Sequence, residues 1–230
     1  MVIQAIRSFY AFMDRFGLLV DADGRLIRNP ALALELPTIP VKPELDWLRA
    51  EEDNALLSCP MNAREDIVLF FLRMTGLRLG EALAVTNRDV SLGEREGSIT
   101  VTTSKTVAGL RSIPISPELR PHIERWWAFT RREDLFHPDG PFLVTRNRSA
   151  MKPQYVEQVV ARVAVRAGLA RRVTPHTLRR TFGSDLINRG VRLEVVSRLL
   201  GHAATAITEK SYARLEDSTV RAEMLAALVG

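Results

Sequence analysis

TPHTLRRTFGSDLINRG, residues 174–190, is the stretch that decides how this sequence is read. A helix over 175–189 fits, closed by Gly190 where a left-handed C-cap is wanted. His176 and Arg179 stand three apart near its start and so share a face. An imidazole beside a guanidinium suits a phosphate: arginine binds two oxygens in a fork, and histidine donates or exchanges a proton. The helix N-terminus adds partial positive charge. Taken alone, the pair also fits an ordinary structural role.

Downstream lies LLGHAATAITEKSYARL, residues 199–215. Gly201 closes a helix over 193–200, His202 follows at once, and Tyr212 comes ten residues later in a short polar helix over 205–212. By itself Tyr212 reads as a half-buried aromatic. Upstream, TGLRLGEAL (75–83) sets Arg78 just before a helix over 79–86, with Glu81 three residues on. Gly76 and Gly80 permit tight turning and close packing. That fragment alone also describes a surface arginine paired with Glu81.

Residues 97–115 change in kind. GSITVTTSK alternates Ile99 and Val101 with polar neighbours, the period of a strand. Residues 107–109 make a turn, 111–115 return as a second strand, and Pro114 implies an edge or strand end. Residues 89–92 supply a short preceding strand. Elsewhere the period is helical: 44–57, the apolar 63–75 buried on most sides, 116–131 with Ser116 and Pro117 at its start, 152–167, and 218–229. The expected fold class is mainly α with a small antiparallel β-sheet (α+β).

The chain has 230 residues, 46% of them hydrophobic, which is enough for a sizeable core without covalent staples. Residues 1–28 begin with an amphipathic helix on which Ile3, Ile6, Phe9, Tyr10, Met13 and Phe16 recur, ended by Gly17. Residues 29–46 carry Pro30, Pro37, Pro40 and Pro43 and read as a linker. Residues 47–230 form the main domain. The lone Cys59 makes no internal disulfide, no Cys/His cluster has zinc spacing, and a reducing compartment is expected. No signal-peptide pattern opens the chain, and the densest apolar run, 67–72, is far short of a membrane span. Net charge is +5. Arg162, Arg166, Arg171, Arg172, Arg179, Arg180, Arg189, Arg192 and Arg198 crowd one stretch, which fits a polyanionic partner or a solvated helix surface. Phosphate-loop, HExxH and GxSxG motifs are missing, as is an acidic cluster at metal-binding spacing, so no metal and no cofactor are expected.

In order along the chain, TGLRxGE, strand–Lys–turn–strand, HxLRxTF, LLGH and a final tyrosine resemble the catalytic domain of the tyrosine recombinase (phage integrase) family, over about residues 44–220. The resemblance implies that Arg78 and Arg179 are the two catalytic arginines. It implies that His176 and His202 are the two histidines and Lys105 the hairpin lysine. Glu81 is then the buried acid that orients Arg78, and Tyr212 the nucleophile. Lys42, Lys152 and Lys210 are the rival lysines; Lys105 fits best because a hairpin tip reaches into a groove. The interval from His202 to Tyr212 is ten residues, where many relatives have nine. Family members carry a helical core-binding domain ahead of the catalytic one, of which residues 1–28 match only the last helix.

The implied activity is site-specific recombination: DNA is cut and rejoined through a 3′-phosphotyrosyl ester, without metal or ATP. Arginines and histidines stabilise the extra charge of the pentavalent transition state. A free tyrosine ionises near pH 10; nearby cations favour its phenolate, and neutral His176 is suited to take the proton. Lys105 is placed to protonate the leaving 5′-oxygen. Alternatives are a type IB topoisomerase-like activity and a non-catalytic, truncated DNA-binding remnant. Double-stranded DNA is the expected partner, with a homo-tetramer on DNA, a monomer when free, and a cytoplasmic, nucleoid-associated location. The helix over 221–229 either closes its own core or docks on a neighbouring subunit.

Overall fold

The computed structural model describes residues 2–34, 47–94, 96–102 and 110–201. The chain divides into two compact units, Met1–Glu44 and Leu45–Gly230. The first contains α1 (Val2–Arg15). After it the chain doubles back around Asp21, whose carboxylate accepts from the backbone N–H groups of Asp23 at 3.0 Å and Arg25 at 2.9 Å. Asn29 then caps a 3-10 turn, Pro30–Ala33, by accepting from the Ala31 N–H at 2.9 Å. The start of the proline-rich segment therefore has local structure within this unit. Its remainder, 35–46, lies outside the described residues.

The second unit is built around α3 (Ala63–Thr75). Asn62 starts this helix by accepting from the N–H groups of Arg64 and Glu65, and the Glu65 carboxylate returns a bond to the Asn62 N–H. Ile67, Val68, Leu69, Phe71 and Leu72 are fully buried. Each such side chain contributes about 1.5–3 kcal/mol on burial, so α3 is a firm post for the loop at its end. Packed against it are α5 (Arg120–Arg132), α6 (Pro153–Arg166) and α7 (Pro175–Asn188). Arg73 ties α3 to its neighbours, donating to Asp53 of α2 (Ala50–Leu57) at 2.8 and 2.7 Å and pairing with Asp185 of α7.

The sheet is antiparallel in the order β1 (Val90–Ser91), β2 (Gly97–Val101), β3 (Arg111–Ile115). Val90 pairs with Ile99, and Ile99 with Ile113, in register. All three face the core. Pro114 sits on the outer strand, where a missing N–H costs no ladder bond. α4 (Leu79–Ala84) and α8 (Leu193–Leu200) complete the described elements.

Three boundaries differ by two residues or more from the sequence expectation. α2 begins at Ala50 rather than 44, because the Leu48 N–H is spent on Thr181 Oγ1 at 2.9 Å and the Arg49 N–H on Glu52 at 2.8 Å. α4 ends at Ala84 rather than 86, because the Thr86 N–H and hydroxyl both donate to Asp89 and draw the chain into a 3-10 turn, Asn87–Asp89. α5 begins at Arg120, after a turn in which Ser116 Oγ accepts from the Leu119 N–H at 3.3 Å. The expected hairpin turn at 107–109 and the helices over 205–212 and 218–229 lie outside the described residues. No helix among the described residues is long and apolar enough to cross a membrane.

Candidate active site

The site gathers where the end of α3, the start of α7 and the end of α8 come together. α3 stops at Gly76, whose backbone is left-handed at φ +60°. A side chain there would also meet the Phe182 ring of α7 at 2.3 Å. The glycine thus serves two ends: it turns the chain toward Arg78 and lets α7 approach. α7 starts from Thr174, whose hydroxyl accepts from the Thr177 N–H at 3.2 Å, with Pro175 as its first residue. One turn in, Arg179 is 6% exposed, yet its guanidinium donates to Gly76 O and Leu200 O, both at 2.6 Å. His176 lies at the surface on the same helix, and its Nε2 accepts from Arg180 Nε at 3.0 Å.

Arg78 precedes α4 and faces the opening, with 45% of its side chain exposed. Glu81, one turn on, accepts from the Arg78 backbone N–H at 2.9 Å and from its Nη1 at 2.7 Å. Arg78 Nη2 donates to Gly201 O at 3.0 Å. The Glu81 carboxylate is buried, and burial pushes its pKa up. Hydrogen bonds from Arg111 and from the Arg78 backbone and side chain outweigh that and hold it below the usual carboxylate range.

Leu77, Arg78, Thr174, His176 and Arg179 line one cleft of about 370 Å³. Three of the side chains expected at the site, Arg78, His176 and Arg179, therefore meet, with Glu81 behind Arg78. Such a cleft presents fixed cationic donors to an anion the size of a phosphodiester. Lys105, His202 and Tyr212 lie outside the described residues. Gly201, the last described residue before His202, is left-handed at φ +65°. Among the rival lysines, Lys152 stands at the N-cap of α6, and Lys42 and Lys210 lie outside the described residues.

Two residues at the site were missed by sequence reasoning. Glu157, an exposed acid on α6, lines the cleft, and nothing in its local sequence marks it. Arg111 opens β3 with a side chain only 6% exposed, and donates to Glu81 Oε2 at 3.0 Å and Leu199 O at 2.6 Å. Its signal was readable: it is in phase with Ile113 on a strand whose alternate residues face inward.

A mainly helical unit with a three-strand antiparallel sheet, ordered in this way, is the catalytic-domain architecture of the tyrosine recombinases. Residues 46–219 match the model of the phage integrase family, and the chain belongs to that family. Tyrosine recombinase XerA of Pyrococcus horikoshii is 27% identical over 238 residues, spanning 100% of this chain and 75% of that protein. Tyrosine recombinase XerC of Methylobacterium nodulans is 30% identical over 212 residues, spanning 90% of this chain and 63% of that protein. Among solved structures, XerH site-specific recombinase bound to a palindromic difH substrate in a post-cleavage complex superposes with a TM-score of 0.73. It is 20% identical, and the match covers 94% of this chain and 64% of that one.

Proposed function

We propose that this chain is a site-specific DNA recombinase that breaks and rejoins double-stranded DNA through a covalent 3′-phosphotyrosyl intermediate. The observation that carries the reading is the meeting of Arg78, His176 and Arg179 at one cleft, although about a hundred residues separate the first from the others. In this reading the two guanidiniums hold the scissile phosphate and stabilise the charge that builds up in the pentavalent transition state. Tyr212 attacks phosphorus. His176 accepts the phenolic proton, and His202 adds a donor. Lys105 protonates the departing 5′-oxygen. The aryl phosphodiester keeps the energy of the broken bond, so a 5′-hydroxyl attacks it to rejoin DNA with no ATP. Family membership supports the reading, as do relatives named tyrosine recombinases.

The same reading takes residues 1–28 as the last helix of a core-binding domain, 29–46 as linker and 47–230 as the catalytic domain. The working form is a tetramer on DNA, monomeric when free, in the cytoplasm at the nucleoid.

The test is covalent capture from a randomised pool of nicked suicide duplexes in EDTA. The parent chain should accumulate a protein–DNA adduct, and Tyr212→Phe should form none. Equal capture by that variant would remove Tyr212 as nucleophile.

A further inference from the structure

Arg111 belongs to no motif of the site, yet it touches two of the site's supports. Its Nε donates to the Leu199 carbonyl at 2.6 Å, and its Nη2 to Glu81 Oε2 at 3.0 Å. Glu81 holds Arg78 at 2.7 Å, and Arg78 reaches Gly201 O at 3.0 Å. The contacts close a ring: strand β3, the carboxylate of α4, the exposed arginine and the end of α8. Gly201 makes room for it, since a Cβ at that position would stand 2.6 Å from Arg111 Nη1. The last carbonyls of a helix carry partial negative charge and lack helical partners, so a buried guanidinium there meets both needs.

The geometry points to Arg111 as a positioning residue for strand transfer. It fixes the end of α8, from which the chain runs on to His202 and Tyr212, to the carboxylate that aims Arg78. The role rests on the recombinase reading above. It requires the planar fork of arginine, because one guanidinium edge serves a main-chain carbonyl and a carboxylate together. A lysine ammonium provides a point charge without that fixed geometry.

The experiment uses the full chain with Arg111→Met and Arg111→Lys, on a nicked duplex recovered by covalent capture with the parent. Single-turnover adduct formation, DNA dissociation constant and thermal melting are measured together. Misplacement of the reacting groups should slow adduct formation about 10²-fold for Arg111→Met and about tenfold for Arg111→Lys. DNA affinity should stay within about twofold of the parent, since Arg111 is set behind the cleft and a loss confined to the chemical step is expected. The rate loss should also be non-additive with Glu81→Gln, because the two residues act as one unit. Overturning results are parent-like rates in both variants, additive losses, an equal fall in DNA affinity, or unfolding of both variants at the assay temperature. A parent chain that captures no DNA overturns the recombinase reading itself, and this role with it.

Discussion

Two buried arginines of the second unit, Arg73 and Arg111, meet carboxylates in opposite stoichiometry. In the last turn of α3, Arg73 is 3% exposed and faces two aspartates, Asp53 and Asp185. Burial works against its charge, and the two carboxylates more than offset that. At the cleft the ratio reverses: Arg78 and Arg111 share one carboxylate, Glu81, while Arg179 donates to main-chain oxygens nearby. Among the described residues the first cluster has no surplus cation and works as a tie between helices. Among the described residues the second has more guanidinium than carboxylate, and Arg78 faces the opening. A tie between helices covers its cation with carboxylate; an anion site leaves cation for the ligand.

The contrast can be broken from either side. The largest effect is expected at the tie. Arg73→Met leaves two carboxylates without their cation and should cost about 3–5 kcal/mol of stability in urea unfolding. Adduct formation per folded molecule should stay near parental. Arg78→Ala should do the reverse: adduct formation falls about 10²–10³-fold, while the melting temperature holds near the parent's, because Glu81 keeps Arg111. A large drop in melting temperature with normal cleavage would mean that Arg78 is the tie.

Glu81→Gln gives a smaller effect that depends on pH. Because the folded carboxyl ionises more readily than usual, its stabilisation is complete above about pH 4.3, the ordinary glutamate value. It is lost as pH falls through the lowered folded value. Comparing urea midpoints at neutral and acidic pH, the variant should lose less on acidification than the parent. Glu65, held low by hydrogen bonds from Arg166 and from the Asn62 backbone against the opposing effect of burial, keeps part of the slope in both proteins. Equal slopes would show that Glu81 is not the charged partner of the two arginines.

The sequence carried the parts of this architecture that depend on local signals. α3 was visible in its apolar run, Gly190 and Gly201 marked helix ends, and Gly76 a tight turn, where the structure has left-handed backbone. The strands showed in alternation, and Pro114 in its edge position. Arg78, His176 and Arg179 were legible because motif order stood in for distance. Arg111 carried a signal too, its phase with Ile113, but a strand arginine is ordinarily taken for solvent-facing, and only tertiary packing shows what its guanidinium meets. The false start of α2 has the same cause. Periodicity continued through Trp47, but the Leu48 N–H was already committed to Thr181, a partner 133 positions away.

The oxygens that hold Arg111, Arg179 and Arg78 at α8 are those of Leu199, Leu200 and Gly201, one for each guanidinium. All are main-chain atoms. Exchanging one side chain for another cannot delete them, so at Leu199 and Leu200 this part of the site tolerates point mutation better than a cluster of carboxylates would, whereas Gly201, left-handed and close against Arg111, does not. Its weak point is length. Inserting or deleting one residue in α8 would rotate the helix end by about 100° and hand each arginine the wrong oxygen. At this place a gene that drifts by substitution outside Gly201 keeps its acceptor oxygens, and one that drifts by codon gain or loss does not.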